Sequence, residues 1–272
     1  MKVLVRGGGD LASAVIHKLW RSGFKVLVYD LELPSCVRLT VSFCNAILEE
    51  TWEIEGITAS YITELSEIDE CFARKAVPVT TLPEQEIFDY FQPDVFIDAT
   101  VSKKTPDYDI NRAPLVIALG PNIMAGRDAH VVVETKRGHY LGSLYYEGYA
   151  APNTGIPGDV DGFTSDRVLR ATGDGRIRHI REIGDMVEKD EDVCYVGDEI
   201  VTSSIGGTIR GLITEGYEAH KGMKIGDVDP RNNLEHCYTI SDKGRTIAGG
   251  VLEAILHYLS AGEFLNFSKN DY

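Results

Sequence analysis

Apolar and polar positions in the first half of the chain switch between two periods. Residues 2–6 form a short β-rich run, and from residue 11 the apolar positions are 11, 12, 15, 16, 19 and 20. That i, i+4 stripe predicts a helix lying on a sheet, with Gly23 standing where a left-handed C-terminal cap is expected. Residues 25–30 predict a second strand, and residues 36–48 a second helix after the break at Pro34. Residues 51–62 suit one long strand or a hairpin split at Gly56, and periodicity does not choose between them. Further apolar runs of buried-strand length cover residues 77–81, 94–99, 115–120 and 130–135. Strands alternating with helices imply an α/β chain with a mainly parallel sheet covered on both faces.

After about residue 137 the texture changes, as glycine becomes frequent and short strand-like runs replace helices. A series punctuated by glycine at this spacing predicts a small β-barrel or sandwich. From Thr246 the apolar positions 247, 248, 251, 252, 255 and 259 form a helical stripe that ends before Gly262. The expected organisation is a sheet domain over residues 1–140, a β-rich barrel over 141–240, and a C-terminal helix over 241–272 returning to the first domain.

The first turn raises a chemical question. Gly7, Gly9 and Ala12 fit G-x-G-x-x-A between a strand and a helix, and Asp30 ends the next strand 23 residues after Gly7. In a dinucleotide site Gly7 permits the tight turn, Gly9 admits the pyrophosphate and Ala12 lets helix and strand pack. Amides from Gly8 to Leu11 would face the anion, and Asp30 would take a ribose hydroxyl, which favours an NAD-like over an NADP-like ligand. The alternative is a sharp βα turn in which Asp10 caps the helix.

Composition narrows the classes. The chain has 272 residues, 43% hydrophobic and 25% charged, as in an ordinary soluble protein, and lacks the run of about 20 apolar residues that a membrane helix requires. No signal-peptide pattern follows Met1, so a cytoplasmic location is expected. A net charge of −15 disfavours nucleic-acid partners. Five scattered cysteines without a C-x-x-C pair argue against a disulfide framework and a zinc site, and no metal ligands are expected. Residues 100–140 reverse the charge, with six Lys or Arg against four acids. Within them Glu134, Lys136, Arg137 and His139 cluster just past a predicted strand, where Arg137 suits an anion and His139 suits an acid or base. An NAD-dependent oxidoreductase using His139 is therefore one functional alternative.

Six ordered stretches carry a resemblance: RGGGDLAS, LPSCVRLTVSF, VIALGPNIMAGRDAHVVVETKRGHYLG, APNTGIPG, KIGDVDPR and IAGGVLEAIL. Together they resemble the YqeB-type accessory proteins of selenium-dependent molybdenum hydroxylases, relatives of the XdhC Rossmann domain. The resemblance implies a Rossmann-like first domain and a role in maturing a molybdenum hydroxylase partner. The implied ligand is a nucleotide or a molybdopterin dinucleotide. Gly7, Gly9, Asp10, Arg137 and His139 are the matched site positions, and Lys103, Gly120, Asn122 and Glu134 complete the candidate contacts. Residues 207–228 are in addition similar to the second half of a biotinyl or lipoyl domain. The expected hairpin tip, VTSSIGG, lacks the carrier lysine, so the resemblance implies a barrel without a swinging arm. Self-association is left open.

Overall fold

The structure, a computed structural model, describes residues 1–102, 104–153, 155 and 157–260. In the first half the strands are β1 (Lys2–Arg6), β2 (Lys25–Tyr29), β3 (Thr51–Ile54), β4 (Ile57–Tyr61), β5 (Val77–Thr80), β6 (Val95–Asp98) and β7 (Leu115–Leu119). They continue with β8 (Met124–Ala125), β9 (Val131–Val133) and β10 (Leu144–Tyr145). All but β8 join one nine-stranded sheet in the order β10-β9-β7-β6-β1-β2-β5-β4-β3. Neighbours from β9 through β4 pair in parallel. The edge strands β3 and β10 pair antiparallel with theirs.

The helices are α1 (Asp10–Arg21), α2 (Ala46–Glu49), α3 (Ile68–Ala73), α4 (Glu84–Phe91), α5 (Glu235–Tyr238) and α6 (Asp242–Ser260). Side chains alternate across the sheet as the strand period requires. Val3 and Val5 join Val15, Leu19, Val251 and Ile255 from α1 and α6 in one core. Leu4 joins Cys71, Ile87 and Phe91 from α3 and α4 on the other face. Helices α1 and α6 approach so closely that a Cβ added to Gly244 would lie 2.8 Å from the Cβ of Ala14. The C-terminal helix thus packs against α1 and begins four residues before Thr246; Gly262 lies outside the described residues. No helix among the described residues is long and apolar enough to cross a membrane.

The second half supplies β11 (Gly148–Tyr149), β12 (Val168–Arg170), β13 (Gly175–His179), β14 (Met186–Val187) and β15 (Asp192–Val196). It ends with β16 (Glu199–Thr202), β17 (Gly207–Leu212), β18 (Glu218–Ala219) and β19 (Lys224–Asp229). These form two four-stranded antiparallel sheets, β12-β19-β17-β14 and β16-β15-β13-β18, while β11 pairs with β8. Val193, Ile209, Ile225 and Val228 fill their common core, against which Val37 packs from the first half.

This architecture corrects the expected Rossmann-like, mainly parallel domain followed by a small biotinyl- or lipoyl-like barrel. The large sheet is mixed, and the later strands lie in separate antiparallel sheets instead of one barrel. Period-2 patterning identifies a strand but not the direction of its partner, which the connection decides. At Glu55 and Gly56 the backbone takes φ of 46° and 79°, the two-residue turn of a twisted hairpin, so β3 runs antiparallel to β4. The hairpin alternative for residues 51–62 is thereby the one observed.

The helix expected over residues 36–48 is also corrected. Two 3₁₀ turns, Leu39–Val41 and Phe43–Asn45, precede the single turn of α2, with Ser42 extended between them (φ −127°, ψ 121°). Tertiary bonds override the local pattern: the Phe43 amide donates to Ser13 Oγ at 2.7 Å and the Cys44 amide to the Gly8 carbonyl at 3.0 Å.

Candidate functional site

Gly7 is required in the first turn by its backbone conformation, and Gly8 by a close approach of the chain itself. Gly7 has φ +93°, a region that favours glycine, and its amide donates to the Tyr29 carbonyl at 2.8 Å. A Cβ on Gly8 would lie 2.8 Å from the backbone nitrogen of Cys44, and one on Gly9 would lie 3.3 Å from the Cβ of Cys36. The Gly8 amide donates to Asp30 Oδ2 at 2.7 Å, and the Leu31 amide donates to Asp30 Oδ1 at 2.7 Å. Burial pushes the Asp30 carboxyl above the usual carboxylate range, and those two amides oppose the rise. Ala12 is buried in the core, where its small side chain lets α1 lie on the sheet. Ser13, a residue the motif does not mark, is fully buried and ties the turn together, donating to the Gly8 carbonyl at 3.0 Å while accepting from Phe43.

Beside this turn, at the carboxyl ends of the parallel strands, a crevice of about 640 Å³ opens toward the antiparallel sheets. Its lining includes Asp10 and Leu11 from α1, residues 135–137 after β9, and Ser241 and Lys243 at the start of α6. Seven cationic side chains line it against three carboxylates, in a chain whose net charge is −15. Several cations lean on internal acids. Arg137 makes a two-pronged pair with Asp242 at 2.6 and 3.1 Å, which holds the Asp242 carboxyl down at about 2. Arg167 donates to Asp227 Oδ2 at 2.9 Å, both side chains being buried.

Arg38 is 6% exposed, sits 3.6 Å from Asp10, and donates to the carbonyls of His236 and Thr239, while its Nε has no partner among the described residues. Burial lowers its pKa, an effect Asp10 opposes. Lys136, Lys224 and Lys243 enter no ion pair among the described residues. Burial lowers the Lys243 ammonium below its ordinary value; Asp10 and Glu134 act to raise it, Arg137 and Lys224 to lower it.

Three of the sequence candidates, Asp10, Leu11 and Arg137, therefore share one crevice. Asp10 opens α1 without capping it and turns instead to Arg38. Gly7, Gly8, Gly9, Ala12 and Asp30 lie beside the crevice, in the turn and core. Gly120 has φ +89° where β7 ends, with room for no more than a hydrogen against Thr135 Oγ1, and Asn122 has φ 70° two residues on. Glu134 is 2% exposed and acts as a brace, accepting from the amides of Lys136 at 2.7 Å and Ala151 at 2.8 Å. His139 is exposed, stacked edge-to-face on Tyr140 with centroids 4.9 Å apart, and does not line the crevice. Lys103 lies outside the described residues. Sequence reasoning missed Arg38, Arg167, Arg210, Lys224 and Lys243, which come from separate parts of the chain. The reversal of charge over residues 100–140 points to Lys136 and Arg137, and no local signal marks the other five.

No family model matches the chain. It is similar to the protein named "Uncharacterized protein YqeB" of Escherichia coli (strain K12), with 38% identity over 260 residues, 96% of this chain and 48% of the relative. The chain thus spans about half the length of the curated relative it matches, and the likeness supports the YqeB name within the resemblance. Among solved structures it is similar to the ectoine utilization protein EutE (DoeB) from Ruegeria pomeroyi, with TM-score 0.26 and 11% identity over 84% of this chain and 85% of the other. A succinylglutamatedesuccinylase/aspartoacylase from Rhodobacter sphaeroides is similar with TM-score 0.26 and 12% identity, over 84% of each chain.

Proposed function

We propose that the protein binds a phosphate-bearing small molecule, of the nucleotide or pterin-dinucleotide class, in the crevice between the mixed sheet and the antiparallel sheets. The observation that carries this reading is the excess of cations around that one concavity on an otherwise acidic chain. A volume of about 640 Å³ suits a ligand of that size. Two helices, α1 and α6, begin at the crevice, and a helix start favours an anion. The buried guanidinium of Arg38 and the half-buried ammonium of Lys243 would each gain by meeting a phosphate, because a charge away from water interacts more strongly with its partner.

On the resemblance to YqeB-type accessory proteins, we further propose that the bound molecule is held on behalf of a selenium-dependent molybdenum hydroxylase during its maturation. An oxidoreductase reading draws no support from His139 as placed.

A thermal-shift series with inorganic pyrophosphate, NAD, GTP, CTP and extracted molybdenum cofactor tests the binding reading. Selective stabilisation by one of them, weakened in Lys243→Met, is the expected result; a flat response to all five would overturn it. Co-expression with a molybdenum hydroxylase tests the role, which fails if hydroxylase activity is the same with and without this chain.

A further inference from the structure

The segment that crosses the front of the glycine turn carries two cysteines whose sulfurs lie 3.4 Å apart, Cys36 and Cys44. Cys44 is buried and held in place: its amide donates to the Gly8 carbonyl at 3.0 Å, and its backbone leaves no room for a Cβ on Gly8. Cys36 is half-buried and lies over Gly9. The other three cysteines are buried and apart from these; Cys71 faces the Ala76 carbonyl and Cys237 the Ile209 carbonyl. One pair of thiols is thus close together, with one member reachable from solvent and the other fixed behind it. Between the two, Val37 packs on the antiparallel core and Arg38 lines the crevice.

We propose that Cys36 and Cys44 form a reversible dithiol site that small-molecule disulfides oxidise to an intramolecular disulfide. The Cys36 thiolate attacks one sulfur of the oxidant, breaking its S–S bond and releasing one thiol, and leaves a mixed disulfide on Cys36. Cys44 then gives up its proton and attacks Cys36 Sγ, expelling the second thiol. Two protein thiols are oxidised and one small-molecule disulfide is reduced to two thiols. The bond to Cys36 and burial both hold the Cys44 thiol well above its ordinary pKa, so Cys36 is the thiol that starts the exchange. The sulfurs need to close from 3.4 Å to a bonded distance of about 2.05 Å. Cys36, on the more exposed side, supplies that movement. The resulting loop contains Arg38, so oxidation ties the buried cation of the crevice to the glycine turn.

The reduced full-length protein is treated with oxidised glutathione, quenched by alkylation in denaturant, and mapped by mass spectrometry without reductant. The expected result is a peptide linked between positions 36 and 44, a loss of two of the five alkylatable thiols, and recovery of both with dithiothreitol. Cys36→Ser should keep its remaining thiols free, and Cys44→Ser should retain glutathione on Cys36. Five unreacted thiols, a glutathione adduct on Cys36 of the unaltered chain that never resolves, or a link to Cys71, Cys194 or Cys237 would each overturn the proposal. The map of the unaltered chain decides the matter should Cys44→Ser not fold.

Discussion

The Gly8 amide and the Asp30 carboxylate meet at 2.7 Å, so the donor that a diphosphate would take in a nucleotide-binding turn already faces an anion of the chain. A buried carboxylate needs such donors to stay ionised. Gly8 and Asp30 thereby become partners in holding β1 to β2, and the cations gather instead around the crevice beside the turn.

If packing is what the turn glycines serve, their substitutions should differ in stability. Gly8→Ala would force a Cβ to within 2.8 Å of the Cys44 backbone nitrogen, and we expect a loss of about 1–3 kcal/mol, the usual cost of overpacking. Gly9→Ala meets only the Cys36 side chain at 3.3 Å, and should cost about 1 kcal/mol or less. Urea unfolding of both variants measures the difference; equal losses would show that the contact with Cys44 does not set the requirement.

On the proposed binding reading, Lys243, which enters no ion pair among the described residues, should contribute to holding an anion. Lys243→Met should reduce affinity for inorganic pyrophosphate by about 1.5–3 kcal/mol, the scale of a hydrogen bond to a charged group. His139→Ala should leave that affinity as it was, since His139 is outside the lining. Calorimetric titration distinguishes the two, and a Lys243→Met protein that binds as tightly as the unaltered chain removes Lys243 from the site.

The same lysine gives binding a pH dependence of definite sign. Its folded pKa is lowered from 10.5, chiefly by burial, so the folded chain releases this proton at a lower pH than the unfolded chain does. Protonation therefore costs the fold stability below the folded pKa, and the cost is relieved as pH rises from that value toward 10.5. An anion favours the protonated form, so pyrophosphate affinity should fall as pH rises through the lowered value, with proton uptake on binding. Titration in buffers of different ionisation enthalpy reads the uptake; binding with no proton exchange across that range contradicts the prediction.

The buried pair of Arg167 and Asp227 should be costly to break from one side. Arg167→Met leaves Asp227, 4% exposed and with Oδ1 already unpartnered among the described residues, without its hydrogen-bonded cation. A loss of about 3–5 kcal/mol is expected. Adding Asp227→Leu should recover much of it. Denaturant midpoints of the single and double variants test this, and a double variant less stable than the single would refute it.

Periodicity and glycine placement made the elements legible: the stripe at residues 11–20, the buried runs at 25–30, 77–81, 94–99, 115–120 and 130–135, and the helix that includes residues 247–259. Each depends on residues within a few positions of one another, which is the range over which a period can be read. Two things escaped that range. Residues 36–48 carry a helical pattern, yet bonds to Ser13 and Gly8 bend them into 3₁₀ turns.

Strand partners escaped as well, since alternation says which face a residue takes and not whether its neighbour runs parallel. The candidate site divides in the same way. Asp10 and Arg137 were readable because the glycine turn and a local reversal of charge announce them. Arg38, Arg167 and Lys243 are ordinary cations in the sequence, and only the folding of three distant segments around one crevice brings them together. Local order along this chain is a property of its neighbouring side chains; the concentration of positive charge is a property of the closed fold.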